Sequence, residues 1–310
     1  MSGVARPARR IVVIVNAGSG TGHDDATSER LRGLFEEAGA AVEIRRLEAG
    51  ADLAAEVQAA MQEGPDVIVA GGGDGTVSGV AAALVDREIT LGVLPLGTLN
   101  HFAKDLGIPL DLAEAVRTIV EGHAVSIDVG EVNGRVFINN SSLGLYPDIV
   151  RDREHQQKRL GRGKWLALAW AGLAALRRFP FIGVRLTVDG SELLRRTPFV
   201  FIGNNEYRME GFAIGQRSRL DQGRLSLYVA QRPGRLRLLQ LALRALVGRL
   251  HQARDFQAML AGELVVETSH RRLRVATDGE ITLMTPPLLY RVRPACLRVM
   301  RGPDDPASQG

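Results

Sequence analysis

The run Val67-Ile68-Val69-Ala70 leads without a break into Gly71-Gly72-Gly73-Asp74-Gly75-Thr76. Few folds accommodate that junction. The apolar run is short and continuous, which suits a strand buried on both faces, and residues 77–85 resume helical spacing directly after the glycines. Strand, glycine turn and helix in succession make a turn with no Cβ to hold a ligand away from the backbone. N–H groups at the start of the helix favour a phosphate there, and Thr76 adds a hydroxyl. Asp74 is the unexpected member, because an acid beside phosphate is costly unless compensated, and it points to a nearby magnesium ion. A turn that needs glycine for shape alone does not account for it.

The flanking sequence repeats the pattern. Residues 11–15, 41–46 and 90–94 read as strands, 24–38 and 52–62 as helices, and Asp111 is placed to cap a helix over 112–120. This alternation predicts an α/β domain over 8–125 with a parallel, Rossmann-like sheet. From about residue 125 the pattern changes to short strands, at 125–129, 135–139, 184–188, 199–202, 225–229, 263–267, 273–277 and 281–284. The pairs Asn133-Gly134, Asp189-Gly190 and Asp278-Gly279 lie beside them as hairpin signals. An antiparallel β-sandwich over 126–302 is expected, interrupted by helices at 164–177 and 235–254, with a disordered tail at 303–310.

Composition narrows the class. A chain of 310 residues with 45% hydrophobic and 24% charged residues is long enough for two globular domains. The one cysteine, Cys296, excludes an internal disulfide and a cysteine-based zinc site. The basic N-terminus precedes only Ile11–Val15, and Trp165–Leu176 is too short to span a bilayer, so a cytoplasmic protein is expected. The net charge of +4 suits an anionic partner without choosing one, and no helix-turn-helix or zinc motif supports nucleic acid. Gly18-Ser19-Gly20-Thr21-Gly22 also follows a strand, but His23 breaks the dinucleotide spacing, and it reads as a second phosphate-side loop. Gly161-Arg162-Gly163-Lys164 lacks the Walker A spacing and reads as a basic surface loop.

Five segments occur in a telling order: Asn16-Ala-Gly-Ser-Gly, Gly72-Gly73-Asp74-Gly75-Thr76, Pro95-Leu96-Gly97-Thr98-Leu99-Asn100, Asp128-Val129-Gly130 and Asp278-Gly279-Glu280. Together they resemble the diacylglycerol kinase catalytic family, specifically its bacterial lipid kinases, over nearly the whole chain. The resemblance implies a nucleotide domain followed by a β-sandwich, with the active site in the cleft between them. It implies ATP contacts at Asn16, Gly72, Gly73, Asp74, Gly75, Thr76, Gly97, Thr98 and Asn100. Glu280 matches the family's proposed base, with Asp278 to orient it or join a metal network. Asp128 aligns with a further acid that would share magnesium with Asp74. Two departures stand out. His101 follows Asn100 where the family has an acid, and Asp221-Gln222-Gly223 replaces a paired Asp-Asp-Gly at an outer magnesium loop, leaving Asp221 as the metal candidate there. Ser78 also replaces an asparagine common after the Gly-Asp-Gly-Thr motif.

The function this implies is transfer of the γ-phosphate of ATP to a lipid hydroxyl, diacylglycerol by default, with magnesium as cofactor. The acceptor lies in a membrane, so peripheral association with its inner face is expected. Leu236, Leu239, Leu243, Leu246 and Leu250 form a helical stripe opposite Arg237 and Arg244 that reads first as core packing. Trp165–Leu176, with Arg177 and Arg178 beside it, is the better interfacial segment. Two other readings stay open: an NAD kinase, which shares Gly-Gly-Asp-Gly-Thr and an Asn-Glu pair such as Asn205-Glu206, and a non-catalytic nucleotide or lipid sensor.

Overall fold

The computed structural model describes residues 9–16, 25–48, 50–144, 181–210, 213–217, 219–230 and 256–302. The expected helices at 164–177 and 235–254, the loops at 18–22 and 161–164, and the tail at 303–310 lie outside the described residues.

Two compact units are formed, one up to Asp128 together with the chain from Pro294, the other Val129–Arg293. The sequence instead suggests a single division near 125. In the first unit, strands β1 (Ile11–Asn16), β2 (Val42–Leu47), β3 (Val67–Gly72) and β4 (Thr90–Pro95) form a parallel sheet in the order β2-β1-β3-β4. Helices α1 (Asp25–Glu37), α2 (Leu53–Gln62), α3 (Asp74–Leu84), α4 (His101–Asp105) and α5 (Leu112–Glu121) connect and follow them. Val12, Val13, Ile14, Ile68 and Val69 are wholly buried, which explains why these strands read as unbroken apolar runs. The helix ends are chemically marked. Asp52 caps α2 and Asp111 caps α5 through backbone N–H groups, and Arg9 donates to the last carbonyls of α5 at Ile119, Val120 and Gly122.

The second unit is antiparallel. Its six-stranded sheet runs β14 (Phe256–Ala261), β13 (Leu225–Ala230), β10 (Phe199–Asn204), β7 (Asn140–Gly144), β16 (Leu273–Thr277) and β17 (Glu280–Met284). Against it lie β8 (Ile182–Val188), β9 (Ser191–Thr197) and β15 (Glu263–Thr268), with a small β11–β12 hairpin (Tyr207–Glu210, Ala213–Arg217). One apolar core is drawn from both layers, including Leu143, Val200, Ile202, Leu227 and Val275 from the six-stranded sheet and Val184, Leu186, Leu264 and Val266 from its partner. This is a sandwich core, as the alternating pattern requires. Each of the three Asx-Gly pairs makes a two-residue hairpin turn with both residues at positive φ, as in Asn133 (47°) and Gly134 (83°).

Strands β5 (His123–Val132) and β18 (Leu288–Arg301) cross the division of the chain, and β5 also pairs with the short β6 (Arg135–Phe137). The first residues of β18 pair with β15 in the second unit, and Val299 lies opposite Leu91 of β4 in the first. Pro294 and the left-handed Ala295 (φ 51°) interrupt the strand between those two pairings.

Candidate functional site

In the first unit the expected phosphate residues collect at the carboxyl ends of the parallel strands. Asn16 ends β1, Gly72 ends β3 and Pro95 ends β4. The chain leaves β1 toward β2 on one side and later passes to β3 and β4 on the other, so β1 and β3 flank the topological switch point, where such sheets bind ligands. The Asn16 amide bridges that point, donating Nδ2–H to Thr76 Oγ1 at 3.0 Å. Gly73 is the N-cap of α3 and offers no side chain to the helix, so the first turn is left without a side-chain cap.

Two glycines are fixed by packing. A Cβ on Gly72 would fall 2.6 Å from Thr76 Oγ1, and one on Gly97 would fall 2.5 Å from Gly73 Cα. The turns after β3 and β4 therefore touch backbone to backbone. Asn100, itself left-handed (φ 51°), holds the second turn in shape. Its Oδ1 accepts from Gly97 N at 3.0 Å, and its Nδ2 donates to the carbonyls of Gly97 and Pro95 at 2.9 and 3.2 Å. Asn100 is thus a builder of the loop that presents Gly97, while Thr98 is exposed on it. His101 opens α4 and is exposed.

The acids differ sharply in their surroundings. Asp74 is half-buried in the first turn of α3, with one oxygen 3.4 Å from the N–H of Phe102. Asp128 is buried and accepts from the N–H of Ala295 at 3.0 Å, so it supports the irregular residue of β18. Asp221 is exposed, and the Arg219 guanidinium forks onto both of its oxygens at 3.0 and 3.1 Å. Among the described residues no cluster of three or more His, Cys, Asp or Glu side chains is assembled for a metal ion. Asp74 fits a magnesium ion that is held chiefly by nucleotide phosphates and water and takes a single carboxylate. The outer loop does not fit a metal. Its guanidinium already satisfies Asp221, and Gln222 brings a neutral amide that accepts from the N–H of Glu206 at 3.3 Å.

In the second unit Asp278 and Gly279 make the turn from β16 to β17, and Glu280 opens β17. The Asp278 carboxylate accepts three backbone N–H groups, from Ile138 and Asn139 at 2.8 Å and from Asn140 at 3.0 Å. It is consumed in tying the β16–β17 turn to the start of β7. Glu280 is exposed and pairs with the Arg135 guanidinium at 2.5 Å, while Arg135 Nε donates to the buried Thr277 hydroxyl at 2.8 Å. Arg135 is a residue that sequence reading passed over, and only its place after the Asn133-Gly134 turn hinted at it. Arg217 was missed as well. It is 3% exposed and donates to the carbonyls of Ile138 and Asn204 and to Asn139 Oδ1, lying over the Tyr207 ring. Residues 138–140 are therefore held by an acid on their three N–H groups and by a cation on the Ile138 carbonyl and the Asn139 side-chain amide. Asn204 and Asn205 are fully buried, and both make structural bonds, to Ile138 O and Gln222 N.

Comparison with known proteins agrees with this arrangement. Residues 10–132 match the diacylglycerol kinase catalytic domain, and residues 148–301 match the YegS C-terminal NAD kinase beta sandwich-like domain. A diacylglycerol kinase of Staphylococcus carnosus (strain TM300) is 28% identical over 201 residues, 64% of this chain and 65% of that protein. One from Staphylococcus aureus (strain JH9) is 30% identical over 201 residues, 64% of this chain and 63% of that protein. The match thus spans just under two thirds of these relatives' length. The crystal structure of a diacylglycerol kinase from Bacillus anthracis str. Sterne shares the fold, with a TM-score of 0.70 at 22% identity over 98% of this chain and 99% of that one. With the two domain models following one another along the sequence, and the glycine turns at the strand ends as described, the chain belongs to the diacylglycerol kinase-like family.

Proposed function

We propose that the protein is a lipid kinase that transfers the γ-phosphoryl group of ATP to a lipid hydroxyl, with diacylglycerol the default acceptor. The observation that carries this reading is the uncapped start of α3 beside the touching turns of Gly73 and Gly97, at the carboxyl ends of parallel strands. Backbone N–H groups of Gly75 and Thr76 hold phosphate oxygens there, and Asn16 fixes the Thr76 hydroxyl that shares the task. Asp74 is the carboxylate that would hold a magnesium ion brought with the nucleotide, and such an ion would supply charge neutralisation to the phosphates. Glu280 takes the proton from the attacking hydroxyl. The new bond joins acceptor oxygen to the γ-phosphorus, the bond to the bridging β,γ-oxygen breaks, and ADP leaves with a lipid phosphate. Arg135 keeps the Glu280 carboxylate in place, and Asp278 fixes the turn from which Glu280 projects. Membership of the family and the names of the relatives support diacylglycerol over other lipid hydroxyls.

The acceptor resides in a bilayer, so the protein works at a membrane surface. Transfer of radiolabelled phosphate from ATP to a panel of lipids in mixed micelles, with NAD as a parallel acceptor, tests the proposal. Label in diacylglycerol is expected. Label in NAD alone would replace it with an NAD kinase, and ATP binding without transfer to any acceptor would replace it with a sensor.

A further inference from the structure

Glu280 owes its place to one short segment of the second unit. Arg135, at the start of β6, meets the Glu280 carboxylate with its guanidinium. The N–H groups of Ile138, Asn139 and Asn140 hold the Asp278 carboxylate at the turn just before it. The Asp278 N–H returns the contact, donating to Asn140 O at 2.9 Å. Whatever fixes residues 135–140 therefore fixes the turn from which Glu280 projects.

Arg217 holds the same segment by different atoms. Its Nη1 donates to Ile138 O at 2.6 Å and to Asn204 O at 3.0 Å, and its Nη2 donates to Asn139 Oδ1 at 2.9 Å. The peptide group that joins Ile138 to Asn139 thus lies between opposite charges. Its carbonyl accepts from the Arg217 guanidinium, and its N–H donates to the Asp278 carboxylate at 2.8 Å. Cation, peptide dipole and anion follow one another head to tail, so each hydrogen bond polarises the next. Asn204 Nδ2 and the Tyr207 hydroxyl complete the seat, donating to Ile138 O and Asn139 O at 3.0 Å each. Arg217, Ile138 and Asn139 are all buried, and each bond lost there strands a polar group in the interior. A fork with three buried acceptors tolerates little displacement, and it passes that rigidity to Asp278 through a single peptide.

We propose that Arg217 is a positioning residue for phosphoryl transfer, setting through the Ile138–Asn139 peptide and the Asp278 carboxylate where Glu280 meets the acceptor hydroxyl. This role rests on the lipid kinase reading with Glu280 as its base. Phosphate transfer from ATP to a water-dispersed short-chain diacylglycerol, measured on the full chain, is the test. Arg217→Lys keeps the charge but cannot fork, and it lowers kcat about tenfold with KM for ATP unchanged. Asn139→Ala removes only the Nη2 contact and lowers kcat about threefold, which keeps the role testable if the lysine variant does not fold. Leu186→Ala, in the apolar core of the sandwich, is the control for stability alone: its urea midpoint falls while kcat stays at the wild-type value. In Arg135→Ala/Arg217→Lys the two losses of about tenfold do not multiply to about a hundredfold, because both act on one carboxylate. Wild-type kcat in both the Arg217→Lys and Asn139→Ala proteins overturns the proposal. So does a Leu186→Ala protein slowed by the same factor as Arg217→Lys, or a fully multiplied loss in the double variant. Each of those outcomes leaves the kinase reading standing, whereas wild-type protein that transfers phosphate to no acceptor removes that reading and this role together.

Discussion

Gly97 has no room for a methyl group, because the atom it would strike is backbone rather than a movable side-chain tip. Gly97→Ala must separate the turns after β3 and β4, and it is expected to weaken ATP binding at least tenfold by calorimetry while leaving the β-sandwich unfolding transition in place. Unchanged affinity would mean that the touching turns have no part in holding nucleotide. Glu280→Gln should abolish transfer with ATP affinity nearly intact; normal turnover would remove Glu280 from the role of base. Arg135→Ala is a milder change. The pair with Glu280 is exposed and worth only about 0–1 kcal/mol to stability, and the bond to the buried Thr277 hydroxyl adds about 1 kcal/mol, so the melting temperature should fall by only a few degrees. Transfer rate should still fall about tenfold through misplacement of Glu280, with KM for ATP unchanged and part of the rate returned by Arg135→Lys. A loss of ATP affinity instead would place Arg135 outside the acceptor chemistry.

At the scale of elements, the Asp278 turn behaves as a knot in the second unit. Asp278→Ala leaves three backbone N–H groups without their acceptor and puts alanine at φ 49°, so a loss of about 2–4 kcal/mol is expected in urea unfolding, with Asp278→Asn losing less. A second expectation concerns alkali. Burial pushes the Tyr290 hydroxyl above its usual range, and Ser141 offsets this only in part, while Tyr228 is raised by burial too. An acid with a raised folded-state pKa keeps its proton after the unfolded chain has lost it. Stability is therefore fully present below about pH 10 and falls as pH rises beyond it, by up to about 1.4 kcal/mol per pH unit for each tyrosine. Melting temperature measured from pH 8 to 11 should show this, and Tyr290→Phe should flatten the slope. Much of this element level was legible in the sequence: the apolar strands of the first sheet, the Asp52 and Asp111 helix starts, and all three Asx-Gly hairpins. Strand β7, Asn-Ser-Ser-Leu-Gly, was not, because it has no apolar alternation and part of its start is held by Asp278, far along the chain. Strand β18 was hidden by Pro294, and β9 by its run of charges. The glycine turns of the site were readable because their chemistry is local. Arg135 and Arg217 were not, since Arg135 reaches Glu280 145 positions away, Arg217 reaches Ile138 79 positions away, and no local pattern marks either.

For the molecule as a whole, the last strand matters most. Leu297 and Val299 are wholly buried in the first unit, and Met300 nearly so, although the entire second unit precedes them in sequence. A chain ending at Arg293 lacks these side chains and leaves that side of β4 unpaired with β18, so it should lose the first unit's cooperative unfolding transition and its ATP binding. Retention of both by the truncated chain would show that the strand is dispensable. The same thread sets an order on synthesis. The half with the glycine turns emerges from the ribosome first and gains its β18 residues only after roughly 10–30 s of further elongation at about 5–20 residues per second. Until then its sheet waits with an open margin, and the nascent chain depends on whatever shields that margin in the cell, so a protein that loses residues near its C-terminus should fail first at its N-terminal half.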